Sequence, residues 1–108
     1  MNLNYPIQEG WTVYAKSDCV YCDKVKDLLH QLNEVLNIID CDDVLKPRYV
    51  KLQFLEHMKK LIGSEYKTFP MVFKDNQFIG GFNEVEKFLN ENSAYKYRGK
   101  TINIEKDF

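Results

Sequence analysis

Two cysteines separated by two residues, Cys19 and Cys22, are the residues of this sequence best suited to chemistry. They follow a strand-like run and begin an amphipathic one, which places both thiols in the first turn of a predicted helix. Residues three apart at the start of a helix lie on one face, within the Cα separation of roughly 4.4–6.8 Å that a disulfide requires. We therefore predict that the two thiols form and break a disulfide reversibly.

The position of Cys19 at the beginning of a helix predicts that it is the more reactive thiol. Unpaired backbone N–H groups and the positive end of the helix dipole stabilise an anion, so we expect the pKa of Cys19 to lie below the ordinary value of about 8.5. Lys16 adds positive charge nearby, whereas the carboxylate of Asp18 opposes the thiolate unless it turns away to cap the helix. We predict that Cys19 is the nucleophile, with a moderately lowered pKa. Cys22, one turn deeper, is the predicted resolving thiol.

The same two cysteines could instead form a permanent disulfide or half of a zinc site. Residues 1–10 lack the basic start and continuous apolar core of a signal peptide, so we expect a cytoplasmic protein, and a reducing cytoplasm disfavours a permanent bridge. Zinc would need two further ligands from Cys41, His30 and His57, whose spacing matches no recurrent zinc-binding pattern. We therefore expect no metal site. Adjacent carboxylates disfavour a thiolate at Cys41, which we expect to be a free, unreactive thiol.

The composition indicates a single soluble domain. The 108 residues are 44% hydrophobic and 29% charged, which allows one core and gives no membrane-spanning stretch. The formal net charge is −1 and basic residues are scattered among acidic ones, so nothing favours binding to nucleic acid. We predict one domain over residues 1–108, with a core at about residues 10–92. Residues 93–108 form an extension that either adds a short strand at Thr101–Ile104 or is a partly ordered polar tail.

Hydrophobic periodicity predicts the elements that position the cysteines. Short β-rich runs predict strands at residues 11–15, 35–39, 71–73 and 77–79, and apolar residues at helical spacing predict helices at about residues 20–33, 47–62 and 83–92. We expect the second strand to be covered on both faces, because it is mostly apolar. We expect Gly63 to end the second helix, and Asn83 to cap the third with Glu86 completing a capping box. The order β-α-β-α-β-β-α predicts an α/β protein with a thioredoxin-like fold, a mixed four-stranded sheet flanked by helices.

Three motifs, in the right order, resemble those of the glutaredoxin family. They are Lys16 ahead of residues 18–22, Thr68-Phe69-Pro70 at the start of the third strand, and residues 80–84 at the start of the last helix. The resemblance covers roughly residues 10–92. Thioredoxins have a similar fold but usually carry a tryptophan-glycine-proline setting around the thiols. The Val20-Tyr21 pair between the cysteines is closer to the proline-tyrosine pair of glutaredoxins.

The resemblance implies a glutathione-dependent thiol-disulfide oxidoreductase. It would have no tightly bound cofactor and would use glutathione as co-substrate. Lys16 would pair with the glycine carboxylate of glutathione, and the backbone of Phe69, ahead of a cis Pro70, with its cysteinyl backbone. Tyr21 would flank the sulfur, and the start of the last helix would receive the γ-glutamyl carboxylate. The full set of glutathione-binding residues implied by the resemblance is Lys16, Tyr21, Thr68, Phe69, Pro70, Gly81, Phe82, Asn83 and Glu84. The implied partners are glutathione and disulfide-containing or glutathionylated proteins, and we expect a monomer.

Two residues depart from the pattern of the family, and two alternative functions stay open. Val20 replaces the usual proline between the cysteines, which should alter the thiol potential more than the fold. Glu84 stands where the family commonly has Asp to bind the glutathione amine. The first alternative is an iron-sulfur cluster carrier that bridges two chains through Cys19 and bound glutathione, although the second cysteine and the lack of a Cys-Gly-Phe-Ser pattern argue against it. The second is an electron donor to one reductase, fed by a thioredoxin-type reductase instead of glutathione.

Overall fold

The computed structural model describes residues 4–96, and their elements follow the predicted order β-α-β-α-β-β-α. The elements are β1 (Trp11–Ala15), α1 (Val20–His30), β2 (Leu36–Asp40), a 3₁₀ turn (Asp43–Leu45), α2 (Arg48–Ile62), β3 (Met71–Lys74), β4 (Gln77–Gly80), α3 (Phe82–Glu91) and the short α4 (Ser93–Lys96). The thioredoxin-like fold predicted from the sequence is confirmed. Within this range no helix is long and apolar enough to cross a membrane.

The four strands form one mixed sheet in the order β2-β1-β3-β4. β1 pairs in parallel with β2 and antiparallel with β3, and β3 and β4 form an antiparallel hairpin. All five residues of β1 are buried, because the strand is central and both faces of the sheet are covered. Side chains alternate between the faces of a strand, so Val13 packs with α1 and α3 on one face while Tyr14 packs with α2 on the other.

The prediction that the second strand is covered on both faces is wrong. β2 lies at the edge of the sheet, and three of its five residues are exposed. Val35, immediately before it, is 65% exposed. Its apolar composition matched that of a central strand, but the position of a strand in the sheet depends on pairing between distant segments. The strands covered on both faces are the two central ones, β1 and β3.

The predicted hairpin and the predicted end of α2 are both confirmed. The turn between β3 and β4 is formed by Asp75 and Asn76, whose φ angles of +51° and +67° suit a two-residue hairpin turn. Gly63 ends α2 with a φ of +95°, and its N–H donates a hydrogen bond to the carbonyl of Lys59. Pro47 precedes the first residue of α2 as its N-cap and is not inside the first turn as predicted.

The end of α1 comes earlier than predicted, but its buried face is as expected. The helix ends at His30 and a turn follows, in which Asn33 has a φ of +58°. The predicted apolar stripe is buried throughout, from Val25 to Leu32. The periodicity therefore identified the face that packs on the sheet, although it did not identify the last residue of the helix.

A shared carboxylate attaches the end of the described chain to the core. Glu34 accepts hydrogen bonds at 2.9 Å from both the indole N–H of Trp11 and the hydroxyl of Tyr95. The sequence placed Tyr95 in the extension beyond residue 92, yet its side chain is buried and contacts the rings of Trp11 and Phe88. The strand predicted at Thr101–Ile104 lies outside the described residues.

Candidate active site

Cys19 and Cys22 form a disulfide at the start of α1, with their Cα atoms 5.2 Å apart. The pairing predicted from their spacing is therefore confirmed. β1 ends at Ala15, and a short loop carries the chain from the centre of the sheet to the first turn of the helix. The sheet and the helix together fix where the two sulfur atoms lie.

The residue that caps α1 is Cys19 itself and not Asp18. Cys19 has the extended backbone of an N-cap residue, and its Sγ accepts a hydrogen bond of 3.2 Å from the backbone N–H of Cys22. At most helix starts an oxygen of Ser, Thr, Asp or Asn occupies this place. Asp18 has a φ of +53° and turns the chain into the helix. Because the Cys19 sulfur lies where the unpaired N–H groups of α1 converge, these groups would stabilise its thiolate once the disulfide is reduced.

The two sulfur atoms differ in accessibility. Cys22 is fully buried in the core cluster between the sheet, α1 and α3. Cys19 is partly exposed, and the side chains that follow it, Val20 and Tyr21, are 66% and 53% exposed. A large disulfide substrate can therefore reach Cys19 but not Cys22. This difference supports the predicted roles of nucleophile and resolving thiol.

A cleft of about 280 Å³ lies between the start of β3 and the start of α3. It brings together eight of the predicted site residues and one more, namely Tyr21, Thr68, Phe69, Pro70, Gly81, Phe82, Asn83, Glu84 and, in addition, Tyr66. The rings of Tyr21 and Phe82 lie 5.8 Å apart. Cys19 Sγ lies 3.9 Å from the carbonyl oxygen of Phe69, so the reactive sulfur and the cleft are adjacent.

Phe69 and Pro70 are held in place by packing beneath the cleft. The ring of Phe69 stacks on that of Phe54 in α2, with centroids 6.2 Å apart and planes 8° apart. Pro70 is buried, and the Phe69–Pro70 peptide bond is cis, as the resemblance implies. Anchoring of the Phe69 ring to α2 fixes its backbone, which a peptide ligand could pair with.

Lys16 lies in a different pocket from the other predicted binding residues. Its pocket is also lined by Lys26 and by several carboxylates, including that of Asp42. The backbone N–H of Ser17 donates a 2.9 Å hydrogen bond to Asp42. This bond is the main reason that the pKa of Asp42 is lowered, and the charges of Lys46 and Lys16 add to the effect. Lys16 is therefore placed beside the Asp42 carboxylate rather than among the residues that line the cleft.

The start of α3 differs from the prediction by two residues. The N-cap is Gly81 and not Asn83, and the carboxylate that accepts a hydrogen bond from the N-cap backbone belongs to Glu84 and not to Glu86. Glu84 Oε1 accepts a hydrogen bond of 2.9 Å from the backbone N–H of Gly81. β4 runs to Gly80 and the helix begins at Phe82, so there is no room for a longer connection. The first backbone N–H groups of α3 thus lie at the cleft, where they favour an anion.

Two residues of the site carry no sequence motif and were missed. Tyr66 lines the cleft from the loop before β3, and its ring packs edge-on against Phe78 at 4.9 Å. Lys24 places Nζ 5.2 Å from the ring centroid of Tyr21 and 5.9 Å from that of Phe82. Position alone could have suggested Tyr66, which stands two residues before Thr68. The contacts of Lys24 depend on the packing of α1 against α3, so no pattern in the neighbouring sequence predicts them.

Cys41 is a free thiol, as predicted, and the structure shows that it is buried. Burial, followed by the charge of Asp40, raises its pKa from 9.0 to about 12. Among residues 4–96 no group of three or more His, Cys, Asp or Glu is arranged to hold a metal ion.

Comparisons with known proteins give a consistent result. The family model described as Glutaredoxin matches residues 11–79. Glutaredoxin 1 of Escherichia coli is 29% identical over 84 residues, which cover 74% of this chain and 92% of that protein. The mitochondrial glutaredoxin-2 of Rattus norvegicus is 30% identical over 79 residues, which are 73% of this chain but 46% of that protein, so the chain spans about half of its length. The crystal structure of a buckwheat glutaredoxin-glutathione complex has the same fold, with a TM-score of 0.56, 24% identity and coverage of 85% of this chain and 71% of that one.

Proposed function

The chain belongs to the glutaredoxin family of thiol-disulfide oxidoreductases, and we propose that it uses glutathione to reduce protein disulfides and glutathione mixed disulfides. The observation that carries this proposal is the position of Cys19, which caps α1 and lies 3.9 Å from the Phe69 carbonyl at the edge of the cleft. The buckwheat relative, whose structure holds glutathione, supports the choice of ligand. Glutathione-driven reduction needs a reducing compartment, and we propose the cytoplasm as the location of this protein.

The cleft offers the groups that a small peptide with two carboxylates needs. The backbone N–H and carbonyl of Phe69, directly before Pro70, can pair with the cysteinyl part of glutathione, as edge strands pair with peptides. The first N–H groups of α3 can receive the γ-glutamyl carboxylate, because a helix start has unpaired donors and a positive dipole end. Lys24 adds a positive charge over the rings of Tyr21 and Phe82 at the same side. We therefore propose that glutathione binds with its sulfur at Cys19 and its γ-glutamyl group at α3.

Reduction of a glutathione mixed disulfide needs Cys19 alone. The Cys19 thiolate attacks the glutathione sulfur, a new disulfide forms between Cys19 and glutathione, and the substrate sulfur leaves as a thiolate that takes up a proton. A second glutathione, as its thiolate, then attacks the sulfur of the bound one. Glutathione disulfide forms, and Cys19 is released as a thiolate.

Reduction of a protein disulfide needs both cysteines. Cys19 attacks one substrate sulfur, forms a mixed disulfide with it and releases the other as a thiolate. The Cys22 thiolate then attacks Cys19 Sγ, which releases the second substrate thiolate and leaves the Cys19–Cys22 disulfide. This oxidised state is the one in the structure. Two molecules of glutathione return it to the dithiol and become glutathione disulfide.

Single-cysteine variants test these roles. With a glutathionylated peptide as substrate and excess glutathione, we expect Cys19→Ser to abolish turnover and Cys22→Ser to retain much of it, because the buried thiol has no part in the monothiol route. Turnover is measured as glutathione disulfide formed. Loss of activity in Cys22→Ser with retention in Cys19→Ser would contradict the assignment.

Purification of the wild-type protein under anaerobic conditions, followed by tests with two reductants, distinguishes the proposed function from its two alternatives. Anaerobic purification of a coloured dimer that contains iron and labile sulfide would favour a cluster carrier, whereas a colourless monomer with turnover favours the enzyme. An electron donor fed by a thioredoxin-type reductase would be reduced by that reductase with NADPH and not by glutathione. We expect glutathione to reduce the Cys19–Cys22 disulfide and the reductase to leave it oxidised.

A further inference from the structure

Three oxygen atoms from separate parts of the chain converge on the face of Gly81 that opens to the cleft. A Cβ atom placed on Gly81 would lie 3.4 Å from the hydroxyl oxygen of Tyr66, 3.5 Å from Glu84 Oε1 and 3.6 Å from the carbonyl oxygen of Pro70. All four residues line the cleft described above. A ligand group that approaches this face of Gly81 therefore meets three hydrogen-bond acceptors.

Each of the three oxygens has capacity left for a ligand. Glu84 Oε1 accepts one hydrogen bond, from Gly81, and an ionised carboxylate can accept several. A carbonyl such as that of Pro70 has two lone pairs. Within residues 4–96 the Tyr66 hydroxyl makes no hydrogen bond, while its ring is held by Phe78, with centroids 4.9 Å apart. The hydroxyl is thus fixed in place and its lone pairs are available to a ligand.

The chemistry of these oxygens selects a cation that donates several hydrogen bonds. A carboxylate, a carbonyl and a hydroxyl together present acceptors and a net negative charge. An ammonium group carries three N–H donors and a positive charge, and it matches this arrangement. Glutathione has one ammonium group, on the α-carbon of its γ-glutamyl residue, which is the part proposed above to lie at the start of α3.

We propose that Tyr66 is a specificity-determining residue that, with Glu84 and the Pro70 carbonyl, holds the γ-glutamyl ammonium group. This inference rests on the proposed function and extends it, because the family resemblance implies a carboxylate for the amine but no tyrosine. Glu84 is one methylene longer than the Asp that is common at its position, and its carboxylate also caps α3. The Tyr66 hydroxyl supplies a further acceptor that does not depend on the cap.

The variant Tyr66→Phe tests the hydroxyl while it keeps the ring that packs on Phe78. Two substrates are compared, a peptide in mixed disulfide with glutathione and the same peptide with des-amino glutathione, in which a glutaryl group replaces γ-glutamyl. We expect the wild-type protein to have a lower KM for the glutathione substrate and Tyr66→Phe to reduce this preference roughly tenfold, with kcat unchanged. Tyr49→Phe is the matched control, since Tyr49 is 67% exposed on α2 and does not line this cleft.

Equilibrium binding gives the same comparison without turnover. S-methylglutathione and its des-amino analogue are titrated into the oxidised protein, and the ratio of their dissociation constants should fall roughly tenfold in Tyr66→Phe and stay as wild type in Tyr49→Phe. An equal change for both ligands would overturn the inference, because it would show that Tyr66 shapes the cleft without contacting the ammonium. A wild-type protein that binds the two equally would also overturn it. If the wild-type protein turns over neither substrate and binds neither ligand, the proposed function itself fails, and the inference fails with it.

Discussion

Alanine should have different effects at the two adjacent glycines, Gly80 and Gly81: it should lower stability at Gly80 and weaken ligand binding at Gly81. Gly80 ends β4 with a φ of +136°, a region that residues with a side chain rarely adopt. A Cβ there would lie 2.7 Å from both Cβ and Cγ of Glu84, atoms close to the helix backbone that cannot move aside. Gly81 has a φ of −97°, and a Cβ there would meet its neighbours at 3.4 Å or more. Alanine therefore fits the fold at Gly81 but not at Gly80.

The magnitudes follow from these two geometries. Backbone strain of this kind costs about 1–3 kcal/mol, and overpacking of a tight site adds about 1–3 kcal/mol. We therefore expect Gly80→Ala to lower the free energy of unfolding by at least about 2 kcal/mol, which lowers the Tm of a domain of this size by roughly 8–16 °C. Gly81→Ala should change the free energy of unfolding by no more than about 0.5 kcal/mol. Its methyl group would instead fill the space that the ligand needs above Gly81.

Thermal unfolding and steady-state kinetics on the same samples separate the two effects. Gly80→Ala should show the lower Tm, and Gly81→Ala should keep the wild-type Tm but have a KM for a glutathionylated peptide raised at least tenfold. A Gly81→Ala variant with wild-type KM would refute the reasoning, because it would show that the ligand does not approach this face. A Gly80→Ala variant with wild-type Tm would show that the contact with Glu84 is relaxed at little cost.

Two further predictions concern stability. Because burial raises the pKa of Cys41 from 9.0 to about 12 in the folded protein, the folded state retains a proton that the unfolded state loses between these values. Cys41 should thus lower the free energy of unfolding of the oxidised protein as pH rises from about 9 to 12, by up to about 1.4 kcal/mol per pH unit. Burial also raises the pKa of Tyr14, which adds its own loss of stability above pH 10. Urea titrations should therefore show a shallower fall for Cys41→Ala than for the wild-type protein, and equal slopes would be evidence against the effect. Glu84→Gln keeps the reach to Gly81 but removes a negative charge from the first turn of α3, so it should cost about 0.5 kcal/mol at low salt and less in 1 M salt. A loss that does not change with salt would show that the charge has no role there.

The fold could be predicted from the sequence because its local signals agree with one another. The β-rich run at β1, the helical stripe from Val25 to Leu32 and the turn at Asp75 each identify an element from neighbouring residues alone. The edge position of β2 could not be predicted in this way. Its residues are apolar enough for a central strand, and only the pairing of distant segments places β1 between it and β3.

The site residues that belong to sequence motifs could be predicted. Those whose role depends on side-chain capping or on tertiary contacts could not. Both cysteines and the residues around Pro70 belong to motifs, and the structure brings most of the motif residues into one cleft. The capping of α1 by Cys19 and the capping at Gly81 depend on which side chain reaches the first N–H groups, a matter of one or two residues. The positions of Lys16 and Tyr66 depend on tertiary contacts. The charge of Lys16 interacts with Asp42, and the ring of Tyr66 packs on Phe78 beside the cleft.

The central claim is that the start of α1 stabilises the thiolate of Cys19, and the pKa of this thiol tests it most directly. In a Cys22→Ser variant the rate of alkylation of Cys19 by iodoacetamide is followed across pH, with mass spectrometry to assign the modified residue. Cys41 is 1% exposed and serves as the internal unreactive thiol. We predict a pKa for Cys19 clearly below the ordinary value of about 8.5. A value at or above it would contradict the account.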